Sequence, residues 1–127
     1  MKTAFLLIVC IAMVATGCDA ASGADKSIMK KIEIDLSTLD ENGLRGEADS
    51  KASVSYEFCI PNNDACKAEV RQIDASIQFC PGSKGRIGAG PGECLCIGHT
   101  HRKDYRQVLE KLAALSYVKR IIECFFE

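Results

Sequence analysis

Beyond residue 50 the chain alternates apolar and polar positions with little interruption. Ala52, Val54, Tyr56, Phe58 and Ile60 alternate with Ser53, Ser55, Glu57 and Cys59, the period of a strand with one apolar face. Pro61-Asn62-Asn63-Asp64 ends that run and offers an N-cap. Cys66, Val70 and Ile73 then fall at helical spacing within Ala65 to Ile73. Ile77 and Phe79 alternate with Ser76, Gln78 and Cys80 in a second strand. After a glycine-rich stretch, Leu95 and Ile97 alternate with Cys94 and Cys96 in a third. Tyr105, Val108, Leu109 and Leu112 line one face of an amphipathic helix, and the β-branched and aromatic run Tyr117 to Phe126 reads as a last strand.

Strand, helix, strand, strand, helix, strand within one short domain is the order of ferredoxin-like βαββαβ sandwiches. That fold is α+β, an antiparallel sheet with two helices on one face. Right-handed crossovers set the last strand beside the first and the third between the first and second. The domain is expected over residues 51–127, preceded by an extension over 28–50. In the extension Ile32, Ile34 and Leu36 alternate with charged residues, and Leu39 to Lys51 is a loop by composition. That loop is no calcium loop. Centring an EF-hand on Gly43 puts Asp40 and Asn42 at ligand positions, but Thr38 at the first and Asp49 at the last, where a bidentate Glu is needed.

Composition bears mainly on compartment. Eight cysteines among 127 residues exceed ordinary usage. The near-balanced charge of −1 gives no electrostatic case for nucleic acid. Met1-Lys2 followed by an apolar run from Thr3 to Ala15 has the form of an export leader. The leader closes on Val14-Ala15-Thr16-Gly17-Cys18, which resembles the lipobox of bacterial lipoproteins, with Ala15 where Leu is more usual. The resemblance covers the leader alone. It implies a signal peptide over 1–17, acylation of Cys18 and a membrane anchor in the bacterial envelope. The small polar stretch 18–27 would then be a tether. An ordinary signal peptide cut near Ala20 or Ala21, giving a secreted chain, is the alternative. Either route leads to a compartment where disulfides persist.

The expected topology then places the thiols. Alternation puts Cys59, Cys80, Cys94 and Cys96 near one end of the sheet, all opposite the residues that face the helices. Disulfides Cys80–Cys94 across the hairpin mouth and Cys59–Cys96 across the two central strands follow from that placement, and the stretch CPGSKGRIGAGPGECLC becomes a stapled hairpin. Four thiolates could also hold a metal, but Cys-x-Cys on a strand spaces two sulfurs by roughly 7 Å, too far for one tetrahedral ion. Cys66 and Cys124 do not meet in this topology.

Two clusters are candidates for anions. Lys84 and Arg86 lie in the glycine-rich loop, whose amides could form a nest, although the loop joins two strands and lacks the P-loop order. His101, Arg102 and Lys103 stand where the second helix begins, a place where positive charge opposes the macrodipole unless an anion or carboxylate offsets it. A metal site from Cys94, Cys96, His99 and His101 is disfavoured because parity turns cysteines and histidines to opposite sides. No Ser-His-Asp order, carboxylate pair or HExxH motif makes a case for an enzyme. The reading is therefore a tethered, non-catalytic domain without a cofactor that binds a protein or envelope component. A thiol-based metal-binding or redox protein is its alternative.

Overall fold

The computed structural model describes residues 26–124. The expected leader, Cys18, most of the tether and Phe125-Phe126 of the expected final strand lie outside the described residues.

Sheet and helices follow the expected order in an α+β arrangement. β1 (Leu44–Arg45) and β2 (Ala52–Ser53) form a small antiparallel pair. β3 (Ser55–Pro61), β4 (Gln78–Pro81), β5 (Glu93–His99) and β6 (Ile122–Cys124) form a four-stranded sheet in the order β4-β5-β3-β6. Every pairing within it is antiparallel. The last strand therefore lies beside the first of the four, and the third between the first and second. The helices are α1 (Lys26–Met29), α2 (Asp64–Ile73) and α3 (Tyr105–Ala114).

Local chemistry sets the helix ends. The Asn63 side chain accepts the Cys66 N–H at 2.8 Å, and Asp64 in the first turn of α2 suits the positive end of the dipole. α3 buries Tyr105, Val108, Leu109 and Leu112, the four positions its periodicity marked, together with Ala113.

Two spans differ from expectation. The run 52–60 is divided, because Ala52 and Ser53 pair with β1 while the sheet strand starts at Ser55. The last strand begins only at Ile122. Ile121, just before it, makes a parallel bridge to Ile32, with hydrogen bonds of 2.8 and 2.7 Å to Glu33 N–H and Lys31 C=O. The extension thus joins the fold: Ile32, Ile34 and Leu39 belong to the core. Lys31 Nζ donates to the Ala113 carbonyl at 2.9 Å, an orphan acceptor at the end of α3. Gly43 has φ +74°, and a Cβ there would sit 1.7 Å from the Thr100 carbonyl oxygen. The buried Thr100 hydroxyl donates to Gly43 O at 2.6 Å and accepts from Val54 N at 3.0 Å, which ties the loop to the sheet. Asp40 is spent within the same loop. Its Oδ1 accepts from Asn42 and Leu44 amides and its Oδ2 from Lys51, which together hold its pKa down at about 2.

The main correction concerns β5. Direct cross-strand partners share a face, and the register pairs Tyr56 with Gly98, Phe58 with Cys96 and Ile60 with Cys94. Cys94 and Cys96 therefore point into the helix-covered core, where both are 0 % exposed, and Leu95 and Ile97 take the other face. Fit explains the choice. Each large residue of β3 meets a small one on β5, and a Cβ on Gly98 would lie 2.6 Å from the Tyr56 ring and hydroxyl. Cysteine behaves here as a small hydrophobe. Phe79, paired with Cys96, faces the helices as expected.

Candidate functional site

The face of the sheet turned away from the helices is not open. The loop between β4 and β5 folds back over it. Gly85 comes so close that a Cβ would lie 2.9 Å from both Leu95 methyls and 3.0 Å from Glu57 Oε1. Its φ of +60° is one that side chains rarely adopt, so the backbone conformation there favours glycine. Glu57, on the central strand, is 1 % exposed, and its Oε1 accepts the Ile87 N–H at 2.7 Å. Glu93 Oε1 accepts the Gly90 N–H at 2.9 Å, and the Lys84 carbonyl takes the amides of Gly88 and Ala89. The nest expected to bind an external anion thus holds two carboxylates of its own chain. Lys84 and Arg86 themselves are exposed on its outside.

The helix-start cluster is neutralised in the same way. Arg102 reaches across to Asp74, the C-cap of α2, with Nη1 at 3.0 Å from a carboxylate only 1 % exposed, and it also pairs with Asp104. That carboxylate additionally accepts the amide and hydroxyl of Ser76. The cations that looked out of place at the start of α3 therefore include one whose partners are internal. His101 and Lys103 remain exposed beside it, and His99 is exposed at the end of β5.

The thiols are divided between the two faces. Cys59 and Cys80 lie on the loop-covered face, each cross-strand from Leu95, which stands between them. Cys94 and Cys96 lie on the helix-covered face. Cys80 and Cys94 sit on neighbouring strands, as do Cys59 and Cys96, but in each pair the side chains leave the sheet on opposite sides. Bridging either pair would require backbone movement. The stapled hairpin therefore does not follow from the register that forms, and the hairpin is held by hydrogen bonds to Glu57 and Glu93. Cys59 and Cys80 are two strand spacings apart, roughly 10 Å, also beyond bridging.

Burial raises the pKa of three of the thiols, Cys59, Cys124 and Cys96. Burial, then the nearby Glu93 and Glu57 carboxylates, pushes Cys59 up to about 11. Burial and a hydrogen bond to Glu57 do the same for Cys124. Cys96, deepest of the three, is raised by burial and by Cys94 beside it. Ser55 separates Cys124 from His99, being the cross-strand partner of both, so the two do not form a nucleophile–base pair. Among the described residues no group of three or more His, Cys, Asp or Glu side chains is placed to hold a metal ion.

Sequence reasoning assigned the loop amides to a nest but missed the carboxylates of the chain that occupy it, Glu57 and Glu93. A Glu at a polar position in the middle of an alternating strand, followed by a long glycine-rich hairpin, was the available signal: a carboxylate covered by that loop needs donors, and glycine lets backbone amides approach. In comparisons with known proteins no family model, curated protein or solved structure matches the chain.

Proposed function

We propose that the protein is an exported, lipid-tethered, non-catalytic binding domain of ferredoxin-like fold, with Cys18 as the acylated residue. Its target is a protein or another component of the bacterial envelope, with no role for nucleic acid or a bound cofactor. The strand order β4-β5-β3-β6, with a helix in each crossover, supports the fold name. The leader ending Val14 to Cys18 supports the tether.

One observation carries the choice of binding over chemistry. The loop amides and Arg102, which could grip an external anion, are turned onto the chain's own carboxylates: the amides onto Glu57 and Glu93, Arg102 onto Asp74. These contacts set the shape of a surface. The thiol-based alternative needs Cys59, Cys80, Cys94 and Cys96 on one face with a depressed pKa, whereas they divide between faces and the resolved shifts are upward.

Intact mass spectrometry of the protein purified from membranes tests the reading. The expected mass begins at Cys18 and includes acyl chains. A lipid-free chain starting near Ala20 or Ala21 would overturn the tether and leave a secreted domain.

A further inference from the structure

The first described residues carry cations that the fold gathers on one surface. Lys26 and Lys30 stand one helical turn apart, the Lys30 N–H donating to the Lys26 carbonyl at 3.1 Å, and both are exposed. Ile28 and Met29 between them pack against the core, which fixes that turn. α1 rests on α3, and Lys31 Nζ reaches the carbonyls of Ala113 and Leu115 at 2.9 and 3.4 Å. Lys119 and Arg120, also exposed, join the same surface through the parallel bridge Ile32↔Ile121. Because that bridge is parallel, Lys30 and Lys119 each precede it by two residues, at the same end of the molecule.

Cations exceed carboxylates there. Arg120 is engaged twice by Glu33, at 2.7 and 2.9 Å, but Lys26, Lys30 and Lys119 have no hydrogen bond or ion pair among the described residues. Of the nearby carboxylates, Glu93 is half-buried and accepts the Gly90 amide, and Glu110 is half-buried in α3 beside the exposed Lys111. Glu69 stands on the α2 side, next to Tyr117. The chain as a whole carries −1, so this surface holds a local positive surplus.

We propose that this surface docks on the anionic phospholipid headgroups of the membrane that holds the Cys18 anchor. The assignment rests on the tethered-domain reading and deepens it, since it gives the domain an orientation. Residues 18–25 reach at most roughly 28 Å when fully extended, and as a coil of small polar residues they average about 15 Å. The screening length in physiological salt is about 8 Å, so α1, where the tether ends, is held within about two screening lengths of the headgroups. At the surface itself each basic residue favours a negatively charged membrane about fivefold. The acyl chains supply proximity, and the three unpaired lysines supply attraction. α3 is about 15 Å long, and α1 covers its end, so in the docked state its start, with His101 and Lys103, points away from the bilayer.

The test is lysine acetylation of the mature, acylated chain in vesicles of phosphatidylcholine alone or of phosphatidylcholine mixed with phosphatidylglycerol, read residue by residue from peptide masses. Lys26, Lys30 and Lys119 are expected to react about fivefold more slowly in the anionic vesicles, with Lys103 unchanged. Salt at about 1 M, where the screening length is about 3 Å, should remove the difference. A Lys30→Gln/Lys119→Gln variant should return Lys26 to nearly its rate on neutral vesicles. Protection that this variant leaves in place would mean proximity without docking and would overturn the proposal. A chain that floats with neutral vesicles yet reacts equally in both lipids would overturn the docking while the tether stands, and would leave the cations to an acidic protein. A chain that does not float with neutral vesicles would overturn the tether and the docking together.

Discussion

The two faces of the sheet are built on different principles. Under the helices, side chains interlock: Tyr56 over Gly98, Phe58 beside Cys96, Ile60 beside Cys94, with Val70, Leu109 and Leu112 closing the layer, all fully buried or nearly so. On the other face the cover is mostly backbone. The loop from Gly82 to Gly92 lies on Leu95 and Glu57 through a glycine and amide hydrogen bonds, and most of its residues stay exposed. Burial by packed side chains is cooperative and intolerant of volume change. Burial under a polar loop depends on a few directed bonds, and such segments open locally at lower free energy than the core. One face should therefore hold the fold together and the other present the surface that function can use.

Truncation at the packed face is the strongest way to break the comparison. Phe58→Ala removes a 0 % exposed ring from the central strand and should cost about 3–5 kcal/mol. For a domain of ordinary stability that is a large share of the total, so denaturant titration should show a much lower midpoint with an unchanged slope. A loss below about 1 kcal/mol would mean that the helix-covered layer is not the core.

Adding a methyl group to each face sharpens the contrast. Gly98→Ala drives a Cβ to 2.6 Å from the Tyr56 ring and the Ile77 methyl, both in the buried core, so that one or both must shift, and should cost about 1–3 kcal/mol. Gly85→Ala meets the Leu95 methyls at 2.9 Å and must hold a φ of +60°, worth about 1–2 kcal/mol. The signature should differ as well as the size. Hydrogen exchange in Gly98→Ala should quicken across the sheet, whereas Gly85→Ala should quicken Ile87 and its loop neighbours alone. Global exchange in both would join the loop to the core as one cooperative unit.

Most of the element order was legible because periods of 2 and 3.6 residues are set by apolar positions, and β3, α2 and α3 have one apolar set each. β5 has two. Leu95 and Ile97 on one parity, Cys94, Cys96 and Gly98 on the other, are both compatible with burial, and reading cysteine as chemistry rather than as a small hydrophobe picked the wrong set. What decides the parity is the size of the residues opposite, Tyr56 and Phe58, and that information sits on another strand. The disulfide expectation rested on that same parity of β5, so the register that forms removes the placement it was argued from. The carboxylate partners of Arg102 and of the loop amides were also hidden, because Asp74 and Glu57 reach them only through tertiary contacts.

The smallest effect expected is one on reactivity rather than stability, and it resolves the two faces thiol by thiol. Cys94 and Cys96 are sealed under the helices, so alkylation in native buffer should reach them only through global unfolding, and their rate should fall as the fold is stabilised. Cys59 is half-buried beside Ile87 and Gly88 of the loop and should react without unfolding, but slowly. Burial and the two carboxylates raise its pKa from about 9 to about 11, so near neutral pH its thiolate is about a hundredfold scarcer than that of an ordinary thiol. The sign for stability follows from the same shift. Below pH 9 the thiol is protonated whether the chain is folded or not, and between about 9 and 11 the unfolded chain ionises first, so the contribution of Cys59 is complete on the acid side and is lost as pH rises through that window. Quantitative alkylation of each cysteine by peptide mass, across pH 7 to 11, checks both parts. If Cys96 labelled as fast as Cys59 in the native chain, the register of β5 would be wrong, and with it the division of the thiols on which the comparison of the two faces rests.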